Sequence, residues 1–170
     1  MVLYDVILGT GNYENVKSGN TVSITGDGGN AWGYYGPAYK KLAPRLVTYE
    51  PYAAGYEELK KFLEEHPDRL EEYWTKRKEL EDEYIKSYYE KRLKGLDAGD
   101  LLEILHERFG AGIILLCHEP IDEFCHRRLV ADWITIKTGF EVPEVSVDSK
   151  KHVKRLVPID YTDRLKQLMK

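Results

Sequence analysis

A chain of 170 residues that is 42% hydrophobic, 12% aromatic and 32% charged can bury one core and is not a disordered polymer. Its 25 Lys and Arg against 29 Asp and Glu leave a formal charge of -4, so long-range attraction to a polyanion is weak; two cysteines make no disulfide scaffold. No apolar run approaches the roughly 18–20 residues of a membrane-spanning helix. Met1 to Asp5 has no basic segment ahead of its apolar stretch, so a cytoplasmic protein with reduced thiols is expected.

Val2 to Leu8 reads as a mostly buried strand ended by Gly9-Thr10-Gly11-Asn12. Thr21 to Thr25 reads as a second strand, running into Gly26-Asp27-Gly28-Gly29-Asn30. The amides of that loop can form a nest around phosphate, or the loop is a plain mobile turn. A short helical segment is expected between Tyr34 and Pro44, and a further short strand over Arg45 to Tyr49.

From Tyr52 to Gly95 the pattern is helical and strongly charged. One helix, from about Tyr56 to Glu65, stops before Pro67 because proline restricts the residue preceding it. A second takes Asp68 as its cap and runs to Lys94, with Gly95 as terminator. Leu70, Tyr73, Trp74, Arg77, Leu80, Tyr84, Tyr88 and Leu93 recur at three- and four-residue steps and form a stripe suited to core packing.

Asp97 to Asp100 opens a helix over Leu101 to Phe109, and Ile113 to Cys117 is a strand apolar on both faces, suited to the interior of a parallel sheet. A loop from Glu119 to Phe124 leads to a helix from Cys125 to about Thr138, closed by Gly139. Val142 to Val147 reads as the last strand, and Asp160 to Met169 as a final helix capped by Asp160. Strands alternating with helices predict one three-layer, Rossmann-like α/β domain over residues 1–170 with a mostly parallel sheet, elaborated by the charged helices of residues 52–95.

The densest group of reactive side chains runs from Cys117-His118-Glu119 to Cys125-His126-Arg127-Arg128. Cys117 ends the most apolar strand, where open α/β sheets bind ligands. Cys125, His126 and Arg127 fall in the first turn of the next helix, whose unpaired amides and dipole favour negative charge. Basic residues are electrostatically unwelcome there, so they point to a compensating anion. The same field is expected to lower the pKa of a thiol. Against this, a cysteine ending an apolar strand is commonly packing, and Arg127 equally pairs with Glu119 across the loop, ordering the turn without a ligand.

Sharper motifs fail. A cysteine phosphatase loop needs an arginine six positions after its cysteine, but Cys117 meets Glu123 there and Cys125 meets Ala131. The His-x-Glu and Cys-x-x-Cys pair of zinc deaminases is missing, and so are a dinucleotide fingerprint and a Walker loop. Zinc on Cys117, His118, Cys125 and His126 suits the ligand types, yet the spacing matches no common structural site, so no metal ligand is assigned. Lys150-Lys151-His152-Val153-Lys154-Arg155 is the one basic run, either a contact for nucleic-acid phosphates or a solvated surface.

Leu115-Leu116-Cys117-x-Glu119, followed by Cys125-His126-Arg127 and a helix beginning Leu129-Val130-Ala131, resembles the family called domain of unknown function 488. Gly9-Thr10-Gly11-Asn12-Tyr13 is similar to its Tyr-Thr-x-x-Tyr/Phe opening, Val22-Ser23-Ile24 to its second strand, and Tyr39-x-x-Leu42-Ala43-Pro44 to its Leu-Ala-Pro segment. Tyr84 and Tyr88 resemble its tyrosine pair ahead of the cysteine strand, so the likeness spans roughly Tyr4 to Val147. The chain departs from relatives in having Gly26-Asp27-Gly28-Gly29 where an arginine often follows the second strand. The resemblance implies an α/β fold and a site at Cys117, Glu119, Cys125, His126 and Arg127, and it supplies no substrate.

These readings lead to an expected small enzyme acting on a phosphate-bearing ligand such as a nucleotide or nucleic-acid component. Arg127 and the helix amides would hold the anion, with Thr10, Gly26, Gly28 and Tyr84 as further ligand contacts. Glu119 would be general base or charge stabiliser, Cys125 or Cys117 nucleophile or positioning group, and His126 the acid. The alternatives are a non-enzymatic module that senses or sequesters a nucleotide or anion, and a metal or redox site on the two thiols. No cofactor is specified and no membrane partner is expected.

Overall fold

The computed structural model describes residues 5–28, 30–31 and 33–170, so residues 2–4 of the expected first strand and Gly29 of the glycine loop lie outside it. The chain begins with β1 (Ile7–Asn12) and β2 (Asn20–Ser23), then a small hairpin of β3 (Asn30–Ala31) and β4 (Tyr34–Tyr35). Two long helices follow, α1 (Leu46–Glu65) and α2 (Leu70–Tyr88), then α3 (Ala98–Phe109) and β5 (Ile113–Cys117). The chain closes with α4 (His126–Thr138), β6 (Glu144–Val147), β7 (Val153–Leu156) and α5 (Thr162–Leu168). The five-stranded sheet has the order β2-β5-β1-β6-β7, all parallel except the β6–β7 pair. This mostly parallel sheet, with five α-helices among the described residues, is the expected α/β architecture, consistent with three layers.

β5 lies inside the sheet, between β2 and β1, as its sequence demands, and is buried along its whole length. Ile113 and Leu115 join the larger core with Leu101, Leu102, Leu105 and Trp133 from α3 and α4. Ile114 and Leu116 face the other side, with Val16, Val145 and Val147, covered by Tyr13 and Tyr34. Asp97 caps α3 by accepting the Asp100 N–H at 2.9 Å, and Gly139 ends α4 in the left-handed conformation.

The first strand runs through the glycines that were expected to end it. A Cβ on Gly9 would stand 2.6 Å from the Pro143 carbonyl oxygen, and one on Gly11 2.5 Å from Val16 Cγ2, so the absent side chains let β1 pack this closely against its surroundings. Arg45 to Tyr49 is the start of α1, not a strand: Leu46 and Val47 are 69% and 61% exposed, and the Arg45 carbonyl accepts the N–H groups of Thr48 and Tyr49, both at 2.9 Å. The helical segment expected after Tyr34 shrinks to a 3₁₀ turn over Lys40–Leu42.

α2 starts after Arg69 and takes no cap from Asp68; it widens into a π-helical turn over Tyr89–Leu93 before Gly95. Of its apolar stripe, Tyr73, Tyr84, Tyr88 and Leu93 are core, while Leu70 and Trp74 are exposed. The basic run of residues 150–155 contributes the edge strand β7, on which Arg155 pairs with Glu141. A charged edge of this kind blocks pairing with other chains. Among the described residues, no helix is long and apolar enough to cross a membrane.

Candidate active site at the ends of two central strands

β1 and β5 end side by side, Asn12 opposite Cys117, and the Tyr13 N–H donates to the Cys117 carbonyl at 3.3 Å. The chain leaves β5 through residues 118–124 and re-enters the fold as α4, with Cys125 at the N-cap. Two side chains hold this turn by its backbone: Arg127 Nη1 donates to the Glu119 carbonyl at 2.9 Å and Asn12 Nδ2 to the same oxygen at 3.4 Å.

The turn folds Cys125 back onto Cys117. Both thiols are free and buried, their Sγ atoms 2.7 Å apart. The Glu119 carboxylate accepts from both, with Oε2 at 2.5 Å from Cys117 Sγ and 3.1 Å from Cys125 Sγ. His126 Nε2 lies 2.7 Å from the Ile24 carbonyl, which can only accept, so Nε2 carries a proton. Its Nδ1 is therefore turned to the thiols, 3.8 Å from Cys117 Sγ. The structure thus brings Cys117, Glu119, Cys125 and His126 together.

Burial pushes the Glu119 carboxyl up, but the charges of His126 and His118 and the hydrogen bonds from both thiols outweigh it, so it sits below its ordinary value. Cys125 moves against expectation. Its burial, then the hydrogen bond with Cys117 and the charge of Glu119, raise it well above its ordinary value, and Arg127 only partly opposes them. A helix terminus does not make a thiolate of a sulfur sealed beside a carboxylate. For His126, burial lowers the pKa, while Cys125, Glu119 and the Ile24 hydrogen bond together more than reverse this.

The anion seat expected at Arg127 is filled from within the protein. Arg127 is 1% exposed, and its Nη2 meets Glu144 Oε2 at 2.8 Å. Its Nε lies 3.1 and 3.2 Å from the two Glu144 oxygens. Thr10, expected to touch a ligand, is fully buried, donating to Glu144 Oε1 at 2.6 Å and accepting from Arg128 Nη1 at 2.8 Å. Arg128 also donates to the Val142 carbonyl at 2.8 Å and pairs with Asp132 at 3.4 Å. The compensating charge that basic residues at a helix N-terminus require is the side chain of Glu144. The signal for it was a lone carboxylate among the apolar residues of Val142 to Val147.

A cleft of about 300 Å³ opens on the cluster. Glu119, Cys125 and His126 lie at its floor, and Tyr49, Tyr52, Tyr84 and Phe124 are among its walls. Gly26 and Asp27 also line it, whereas Gly28, at φ +80° and close to Lys40, does not. A second recess of about 330 Å³ shares Tyr49, Tyr52, His118, Glu119 and Phe124 and adds Arg77 and Glu57. Burial holds Tyr52 and Tyr84 well above the ordinary phenol range, so both stay neutral. Tyr49, Tyr52 and Phe124 were not singled out in the sequence as site residues; Phe124, an aromatic residue immediately before Cys125, carried the available signal.

Fold and site define an α/β protein with two thiols, a carboxylate and an imidazole gathered at the carboxyl ends of two central strands. The chain belongs to the family described as Domain of unknown function DUF488, whose model matches residues 46–134. That span contains Tyr84, Cys117, Glu119, Cys125, His126 and Arg127, whereas Thr10, Gly26 and Gly28 precede it. Comparison with curated proteins and with solved structures yields no match.

Proposed function

We propose that the protein is a small enzyme acting on a nucleotide or a nucleic-acid component, and that it takes the ring end of that ligand into the tyrosine-walled cleft. The observation that carries this reading is the opening of the Glu119, Cys125 and His126 cluster onto that cleft. Ligands of open α/β sheets bind at the carboxyl ends of strands, and pockets of roughly 300–1,000 Å³ suit small molecules. Tyr52, Tyr84 and Phe124 meet one another at ring-centroid distances of 4.8 to 5.3 Å and offer apolar surface to a flat heterocycle. With Arg127 spent on Glu144, a phosphate on the ligand points out of the cleft.

In this reading Glu119, ionised and held by two thiol donors, is the general base or the stabiliser of positive charge developing on the ligand. A cytoplasmic setting, which keeps both thiols reduced, fits it. The test is titration with a panel of nucleosides and nucleotides, followed by amide NMR, with product analysis by chromatography. Saturable shifts around Tyr52 and Cys125, and turnover that falls on the order of a hundredfold in Glu119→Gln with binding retained, are expected. Binding without product would make the protein a sequestering module. Silence toward every member of the panel would overturn the ligand class.

A further inference from the structure

We infer that Cys117, Cys125 and His126 form a binding site for a thiophilic divalent cation, zinc being the representative, with its open coordination position facing the cleft. This goes beyond the ligand proposed above and does not depend on it. Two sulfurs and an imidazole nitrogen, all buried, lie within 4.8 Å of one another, and this donor set is one that zinc prefers. They come from the end of a central strand and the first turn of a helix, joined by a backbone turn that Arg127 and Asn12 pin in place. Chain spacing gave no zinc motif because this geometry arises from the fold.

The imidazole supplies a second, independent observation. Its Nε2–H is committed to the Ile24 carbonyl, and Nδ1 is aimed at the thiols. Ligating histidines are characteristically oriented in this way, by a backbone carbonyl on the other nitrogen.

Dimensions agree after a small adjustment. Bonds of about 2.3 Å to sulfur and 2.0–2.1 Å to nitrogen in a tetrahedron set the sulfurs about 3.8 Å apart and sulfur and nitrogen about 3.6 Å apart. Cys117 Sγ and His126 Nδ1 are already 3.8 Å apart. The sulfurs, at 2.7 Å, open by about 1 Å through rotation of their side chains. Cys125 and His126 line the cleft, and three protein ligands leave a fourth position on that side, next to the carboxylate of Glu119. Open positions of this kind accept water or a ligand atom.

The experiment is titration of the full chain, stripped with chelator and kept reduced with a phosphine, using cobalt(II) alone and then zinc(II) as competitor. The expected result is one ion per chain, with a thiolate-to-cobalt charge-transfer band and the visible absorption of tetrahedral cobalt, both abolished by stoichiometric zinc. Cys117→Ser, Cys125→Ser and His126→Ala each lower zinc affinity on the order of a hundredfold or more, a loss at least as large as that from removing an outer-sphere partner. A reduced native protein that gives no thiolate band overturns the inference without recourse to any variant. A zinc affinity left unchanged in His126→Ala overturns the assigned ligand set. Nucleoside binding by metal-free protein would leave the proposed function standing even then.

Discussion

Arg127 and Glu144 meet in the interior, with Nη2 2.8 Å from Oε2 and neither side chain more than 1% exposed. The pair joins the first turn of α4 to the first residue of β6, and through the Glu119 carbonyl it also fixes the turn that carries the thiols. Removing one member leaves an uncompensated buried charge. Glu144→Ala is therefore expected to destabilise the fold by about 3–5 kcal/mol in denaturant unfolding, whereas the double change Arg127→Met with Glu144→Leu costs less than either single one. A Glu144→Ala protein as stable as the native chain would remove the pair from any structural role.

Close approach within the sheet predicts a second sensitivity. A methyl group at Gly9 meets the backbone oxygen of Pro143, which cannot swing aside, so Gly9→Ala should cost about 2 kcal/mol and lower Tm by roughly 4–8 °C. At Gly95 a methyl group would meet nothing within 4 Å, and Gly95→Ala, tested alongside by calorimetry, should leave Tm nearly unchanged.

The two tyrosines at the end of α2 separate by role. Tyr88 is wholly buried and its hydroxyl donates to the Leu42 carbonyl at 2.6 Å. Tyr88→Phe leaves that carbonyl without its donor and is expected to cost about 1–3 kcal/mol in equilibrium unfolding, with no effect on ligand affinity. Tyr84, a wall of the cleft, behaves otherwise: Tyr84→Ala should weaken ligand binding as measured by titration.

Asp160 accepts the Thr162 N–H at 2.8 Å at the start of α5, and its hydrogen bonds with Thr162 hold its carboxyl below the ordinary 3.8. A lowered carboxyl pKa contributes stability that is present above the ordinary value and is lost as the pH falls through the folded one. Asp160→Ala is therefore expected to be less stable than the native chain at neutral pH, and the gap should close as acid protonates Asp160 below about pH 4. Unfolding curves at neutral and acid pH check the sign.

Much of this architecture could be read directly. Ile113 to Cys117 announced a central strand by being apolar at every position, and Asp97 and Gly139 marked helix ends through local chemistry. β7 was not legible because Val153 to Leu156 carries its charges at successive positions and pairs only as an outer strand. Leu46 to Tyr49 has the β-branched and aromatic residues of a strand, and its helical state is a tertiary outcome. At the candidate site, local spacing pointed to Cys117, Glu119, Cys125 and His126 as a group. The true partner of Arg127 lay 17 residues onward on another strand, beyond the reach of any local pattern.

The helix bearing Tyr49 and Tyr52 rests mainly on its neighbour α2, through contacts such as the 2.6 Å bond between Thr48 and Ser87, and not on the sheet. The reactive cluster belongs to the sheet side, pinned by Asn12 and Arg127. One rim of the opening is thus anchored in the rigid heart of the molecule and the other rides on a peripheral arm. A tilt of that arm would widen the opening while the chemical groups on the sheet side kept their alignment.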